Sequence, residues 1–232
     1  EFWLSRVQKN SNGYYEIKNV VAADEYAENV DNDAFTNAAV QLNLQNAINA
    51  ANILKLLPNP LWKTVADRLL IHKFPDGTTR EHATYNGEKI KQADVNLLAY
   101  PLQVIRDTAQ ILKDLKYYEV RVPEKNTPAM TQAVFALLYA RLGKKDKAYY
   151  FFKDAYVPNQ LPPFNVIAET KGGDNPYFLT GSGGVLQAVM MGFAGLEITS
   201  KGVEQRKSSM PAHWKSLMIT GVGKNKSTFI IK

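Results

Sequence analysis

The sequence predicts a mainly α fold of the helical barrel or toroid type, with a small β appendage at its C-terminal end. Apolar residues recur at helical spacing through most of the 232 residues. The longest of these patterns begins at Ala34 and is crowded with Asn and Gln. A closed bundle would bury such amides at a cost unless each found a partner. A helical barrel instead leaves one helix face on a wet central cavity. After Pro211 the period switches to alternation around Gly221-Val222-Gly223-Lys224-Asn225, which is a hairpin signal.

Taken in order, "EFWLSRV" opens the chain as the end of a helix, with the look of a cut inside a longer protein. Asn32 or Asp33 can cap a helix starting near Ala34 and running to Leu57, where Pro58 and Pro60 stop it. Leu61 to Ile71 repeats apolar residues at helical spacing. "KFPDGTTREHATYNGEK" reads as loop and short strand. Helical patterns return at Val95–Leu98, Leu102–Leu115, Thr127–Leu142 and Lys145–Ala155. "VPNQLPPFNV" is a proline-rich connection, and a last helix is expected over Gly184–Leu196. No sequence repeat of a solenoid is visible.

Composition bounds the function. There is no cysteine, which removes disulfides, thiolate metal sites and cysteine nucleophiles. No apolar run is long enough for a transmembrane helix. The net charge of +6 lies beyond residue 200, where seven basic residues face the single acid Glu204. That tail lacks the interleaved aromatics of a nucleic-acid platform, so it reads as a solvated strand surface, with no nucleic-acid or membrane partner expected. His72, His82 and His213 lie far apart without metal-ligand spacing, and neither a metal nor another cofactor is expected.

Four stretches can carry chemistry. Residues 23–37, "ADEYAENVDNDAFTN", hold five acids just ahead of the long helix. They serve either as macrodipole and capping groups or as a loop bearing a catalytic acid, Glu25. Glu169 leads into a Gly-rich loop with Tyr177 and Phe178, a setting that suits a sugar pocket and also an ordinary loop glutamate. Gly181, Gly183 and Gly184 open the last helix, as an anion cradle or for close helix packing. Lys91, Gln92 and Asp94 precede an apolar turn, as a cap or as ligands of sugar hydroxyls.

Together "DEYAENVDNDAFTN", "KQAD", "PPF" and "FLTGSGGVLQ", with the tail "MPAHWKSLMITGVGKNKSTFIIK", resemble glycoside hydrolase family 65 in this order. That family contains maltose, trehalose and kojibiose phosphorylases, acid trehalases and kojibiose hydrolases. The resemblance implies part of an (α/α)6 barrel over residues 1–200 and part of a small C-terminal β domain over 201–232. It implies a general acid at Glu25, a general base at Glu169, and substrate-binding roles for Asp24, Tyr26, Lys91 and Gln92. Ala22-Ala23 and Ala27 replace the Gly-Pro and His that flank Asp-Glu-Tyr in the phosphorylases, which turns the resemblance toward the hydrolase branch. The implied reaction is inverting hydrolysis of an α-glucosidic disaccharide of the trehalose or kojibiose type. A phosphorylase and a non-catalytic carbohydrate-binding fragment are the alternatives. Asp24, Asp31 and Asp33 are expected to raise the proton affinity of Glu25. The remaining expectations are a glucose-containing disaccharide or oligosaccharide as partner, a missing N-terminal part of the parent, homo-oligomerisation, and a periplasmic or secreted location.

Overall fold

The computed structural model describes all 232 residues. The chain divides into two compact units, Glu1–Val122 and Pro123–Lys232.

The first unit begins with helix α1 (Phe2–Arg6) and the antiparallel pair β1 (Val7–Lys9) and β2 (Tyr15–Ile17). Helix α2 (Ala34–Ile53) follows, and Asp33 caps it by accepting the Thr36 N–H at 2.7 Å. The helix stops short of Leu57. Lys55 takes a left-handed φ of 57°, and the Leu56 N–H turns back to the Ala51 carbonyl at 2.8 Å, so the C-terminal carbonyls are closed before Pro58 is reached. Asn59 caps helix α3 (Pro60–Arg68). Ile17, Val40, Leu44, Val65 and Leu69 form the core between α2, α3 and β2, with Trp3 and Trp62 packed on it.

The amides of α2 divide by face. Asn37 donates to the Leu70 carbonyl at 2.5 Å and Gln41 to the Leu69 carbonyl at 3.1 Å. Asn43, Gln45, Asn46 and Asn49 are exposed. The inward amides therefore hold the chain segment that follows α3, rather than facing a wet cavity. A 3₁₀ turn spans Val95–Leu98, and α4 covers Thr108–Tyr118. The expected start of α4 at Leu102 is corrected to Thr108. Gln103 has a left-handed φ of 54°, and Asp107 caps from Ala109 and Gln110.

The second unit is built on α5 (Ala129–Arg141), buried over ten of its thirteen residues, and α6 (Lys145–Tyr156). Gly143, at φ 72°, turns the chain between them. A short pair, β3 (Gln160–Leu161) and β4 (Val166–Ile167), leads to α7 (Leu179–Gln187), which continues as a π-helical turn over Ala188–Phe193. A Cβ on Gly181 would stand 2.9 Å from the Ala129 Cβ, and one on Gly184 2.9 Å from the Ala133 Cβ. These two glycines thus serve close packing of α7 on α5.

Helices hold 40% and strands 16% of the residues, so the fold is mixed rather than mainly α with one appendage. Four hairpins supply the strands. The last expected helix starts earlier than Gly184, and Leu196 belongs not to it but to β5 (Leu196–Thr199), paired with β6 (Gly202–Gln205). The hairpin after Pro211 is present as β7 (Leu217–Val222) and β8 (Ser227–Ile231). Ala194, Leu196, Met210 and Ile231 form a second small core, with Trp214 and Phe229 against it.

Candidate active site

The acid-rich loop of the first unit is held by a dense set of backbone contacts. Val20 and Val30 exchange N–H···O bonds at 3.0 Å each, and the Ala27 N–H closes a turn onto the Asp24 carbonyl at 2.9 Å. The five acids of this loop do different work. Asp33 caps α2. Asp31 accepts the Asn19 N–H at 3.0 Å. Asp24 is 1% exposed, and its Oδ1 accepts three backbone amides: Tyr26 at 3.2 Å, Lys91 at 2.8 Å and Gln92 at 3.2 Å.

Glu25 does the opposite. Its side chain is 59% exposed, and one oxygen, Oε2, accepts from Lys91 Nζ at 2.5 Å and Gln92 Nε2 at 2.7 Å. Its own N–H donates to Gln92 Oε1 at 3.0 Å. The structure thus brings Asp24, Glu25, Lys91 and Gln92 together, although 66 residues separate Glu25 from Lys91 in the chain. Tyr26, the next residue in the loop, is 61% exposed. A cavity of about 240 Å³ lined by Asp24, Tyr26, Glu81, His82, Tyr85 and Glu88 adjoins the loop. Glu25 and Lys91 do not line it, so Asp24 and Glu25 face different sides of the loop.

The electrostatics correct one expectation. Hydrogen bonds from Lys91 and then Gln92, followed by the Lys91 charge, hold the Glu25 carboxyl below the usual carboxylate range. The neighbouring acids do not raise it, because their carboxyls are turned onto backbone amides and into the interior. Burial raises Asp24 instead.

Two further buried acids lie beside the loop. Glu81 is 1% exposed, and its Oε2 has no hydrogen-bond partner. Burial, reinforced by the charges of Asp24 and Asp33, pushes its carboxyl up to about 9. Asp94, also 1% exposed, directs its carboxyl back to the acid loop. It makes no capping bond to the 3₁₀ turn that it precedes. Burial first, then the charges of Asp33 and Glu81, push it well above the carboxylate range. No group of three or more His, Asp or Glu side chains is arranged to hold a metal ion.

Glu169 lies in the second unit, in a setting of its own. Its carbonyl accepts the Ala129 N–H at 2.8 Å, at the start of α5. Its N–H donates to Asn175 Oδ1 at 3.3 Å, and Asn175 Nδ2 donates to Glu169 Oε2 at 3.1 Å. The loop that follows is thereby folded back on the carboxylate and fixes its direction.

The profile of the family described as "Glycosyl hydrolase family 65 central catalytic domain" matches residues 1–73 and 74–159. The chain is 61% identical over its whole length to a kojibiose hydrolase of Mucilaginibacter mallensis, of which it covers 34%. It is 33% identical over 213 residues, 84% of its length, to the periplasmic acid trehalase of Saccharomyces cerevisiae, of which it covers 17%. The chain therefore spans about a third of the length of its kojibiose hydrolase relative. Among solved structures, "Putative kojibiose phosphorylase from human microbiome" superposes on all of the chain and 39% of its own, with a TM-score of 0.73 and 17% identity. That likeness is one of fold.

Proposed function

We propose a function from one premise: this chain belongs to glycosyl hydrolase family 65. Residues 1–200 are part of an (α/α)6 catalytic barrel and 201–232 part of a small β domain. The whole enzyme hydrolyses an α-glucosidic disaccharide of the kojibiose or trehalose type with inversion. The observation that carries the reading is the exposed Glu25 carboxyl, oriented by Lys91 and Gln92 at 2.5 and 2.7 Å.

Glu25 is the general acid. Without substrate it is an ionised partner of Lys91. A glucosyl unit that engages Lys91 and Gln92 through its hydroxyls withdraws both donors from the carboxylate and excludes water from it. Both changes favour the protonated form, so the proton becomes available to the glycosidic oxygen as the substrate binds. Glu169 is the general base. It takes a proton from the water that attacks the anomeric carbon, and β-glucose leaves. Tyr26 offers an exposed ring to the sugar, whereas Asp24 acts from below by holding the Lys91–Gln92 backbone.

A carboxylate at Glu169 also opposes phosphate as the nucleophile, since two anions at 4–5 Å repel by about 4 kcal/mol at an effective dielectric near 20. Hydrolysis is therefore favoured over phosphorolysis, in keeping with the name of the 61% identical relative. The name of the trehalase relative is the support for a periplasmic or secreted location.

The test measures glucose and glucose 1-phosphate released from kojibiose and trehalose by the whole enzyme, with and without phosphate. Phosphate-independent release of β-glucose is expected. Glu169→Gln should abolish that release while leaving disaccharide binding nearly intact. Phosphate-dependent formation of glucose 1-phosphate would establish the phosphorylase reading instead, and no turnover of any α-glucoside would establish the binding-only one.

A further inference from the structure

The geometry points to Asp94 as the positioning residue for the proton donor: one buried carboxyl group pins both ends of the loop that carries Glu25. Its Oδ2 accepts the Ala23 N–H at 3.0 Å, and its Oδ1 accepts the Phe35 N–H at 3.2 Å. Ala23 immediately precedes the Asp24–Glu25 pair, and Phe35 lies in the first turn of α2. The neck of the acid loop is therefore closed on a single side chain.

That side chain sits two residues after Gln92, so the pin has a reciprocal. Asp24, from the loop, accepts the backbone amides of Lys91 and Gln92. Asp94, from the Lys91–Gln92 segment, accepts the amides of the loop. The two carboxyls clamp the segments together from opposite directions, and Glu25 meets Lys91 and Gln92 between them. An ordinary role for Asp94, as cap of the turn Val95–Leu98, is not what its contacts show. An asparagine keeps the size of the group but places an NH₂ against one of the two N–H donors, which releases one end of the loop.

General acid catalysis depends on the proton lying within hydrogen-bond reach of the leaving oxygen, and displacements near 1 Å cost on the order of 100-fold. The effect of Asp94 should therefore appear only where the leaving group needs a proton. The inference rests on Glu25 being the general acid, and the experiment separates the two claims. Asp94→Asn, Glu25→Gln and the wild-type whole enzyme are assayed on the α-linked disaccharide and on α-glucosyl fluoride, whose leaving group needs little protonation.

For Asp94→Asn, kcat on the disaccharide should fall by about 10- to 100-fold, with less than about threefold loss on the fluoride and KM little changed. The ratio of the two rates does not depend on how much protein is folded, so a destabilised sample still answers. If Asp94→Asn gives no folded enzyme, Asp94→Glu, which keeps both acceptors but shifts them by a methylene, is read by the same ratio. Equal losses on both substrates would overturn the positioning role. Glu25→Gln should show the same selectivity with a larger loss, and equal losses there would overturn the general-acid reading itself.

Discussion

Replacing Glu81 by glutamine should make the enzyme more stable, and increasingly so as the pH rises. Glu81 is almost fully buried with an unpartnered Oε2, and its carboxyl titrates near 9 instead of 4.5. The folded state therefore holds this proton far more tightly than the unfolded chain does. The stability due to the neutral acid is fully present below pH 4.5 and is lost progressively as the pH climbs toward 9. Each pH unit in that window removes about 1.4 kcal/mol, so the interval from pH 6 to pH 8 removes up to about 3 kcal/mol. Water entering the loop as the carboxylate forms relaxes part of this. Glutamine has the same shape and no proton to lose. The backbone bond from the Ala34 N–H to the residue 81 carbonyl, at 2.7 Å, is untouched. Urea unfolding of wild type and Glu81→Gln at pH 6, 7 and 8 reads the effect directly, because groups common to both proteins cancel in the difference. A difference that stays constant across the three pH values would refute the claim that Glu81 is folded as a neutral acid.

Lys91→Met removes the first of the contacts that lower Glu25. The Glu25 pKa then rises, and the alkaline limb of the pH profile of kcat/KM should move to higher pH while the rate at the optimum falls. A limb that stays in place would separate Lys91 from the proton donor. In α7, Gly184→Ala should destabilise the protein by about 1–3 kcal/mol, because its Cβ meets Ala133 at 2.9 Å. Gly183→Ala has nothing within 4 Å and should stabilise it by up to ~1 kcal/mol. Thermal unfolding distinguishes the two, and equal shifts would mean that α7 does not pack on α5 through its glycines.

The local signals for helices were legible wherever a cap or a stop was written in side chains. Asp33 and the apolar period of residues 127–155 place α2, α5 and α6 nearly where they fall, whereas Pro60, which reads as a stop of α2, is the first residue of α3, and α3 ends at Arg68 rather than Ile71. The boundaries that failed are those set by backbone conformation. Left-handed Lys55 and Gln103 end or delay a helix, and neither residue type announces it. The β5–β6 hairpin was masked by the helical run before it, since Leu196 and Ile198 fit either period. At the site, the motifs brought Glu25, Lys91 and Gln92 to notice, and the fold joined them. In sequence Asp94 reads as a cap or a sugar ligand, whereas its carboxyl accepts the backbone amides of Ala23 and Phe35, 71 and 59 positions away. Such contacts leave no pattern in sequence. Glu81 stands in a stretch that reads as plain loop, and only its burial distinguishes it.

The bonds around Glu25 also bear on how the protein folds. Every one that joins the acid loop to the Lys91–Asp94 segment spans between 59 and 71 residues. Bringing such distant points together costs on the order of 4 kcal/mol in chain entropy, and no single hydrogen bond repays that. The intervening α2 and α3 shorten the span by packing against Ile17 and Leu69. A chain that has formed its helices but not this closure carries Glu25 as an ordinary solvated glutamate. Recovery of turnover during refolding of the whole enzyme is therefore expected to report the closure of this long loop, and recovery in step with the helix signal would refute that.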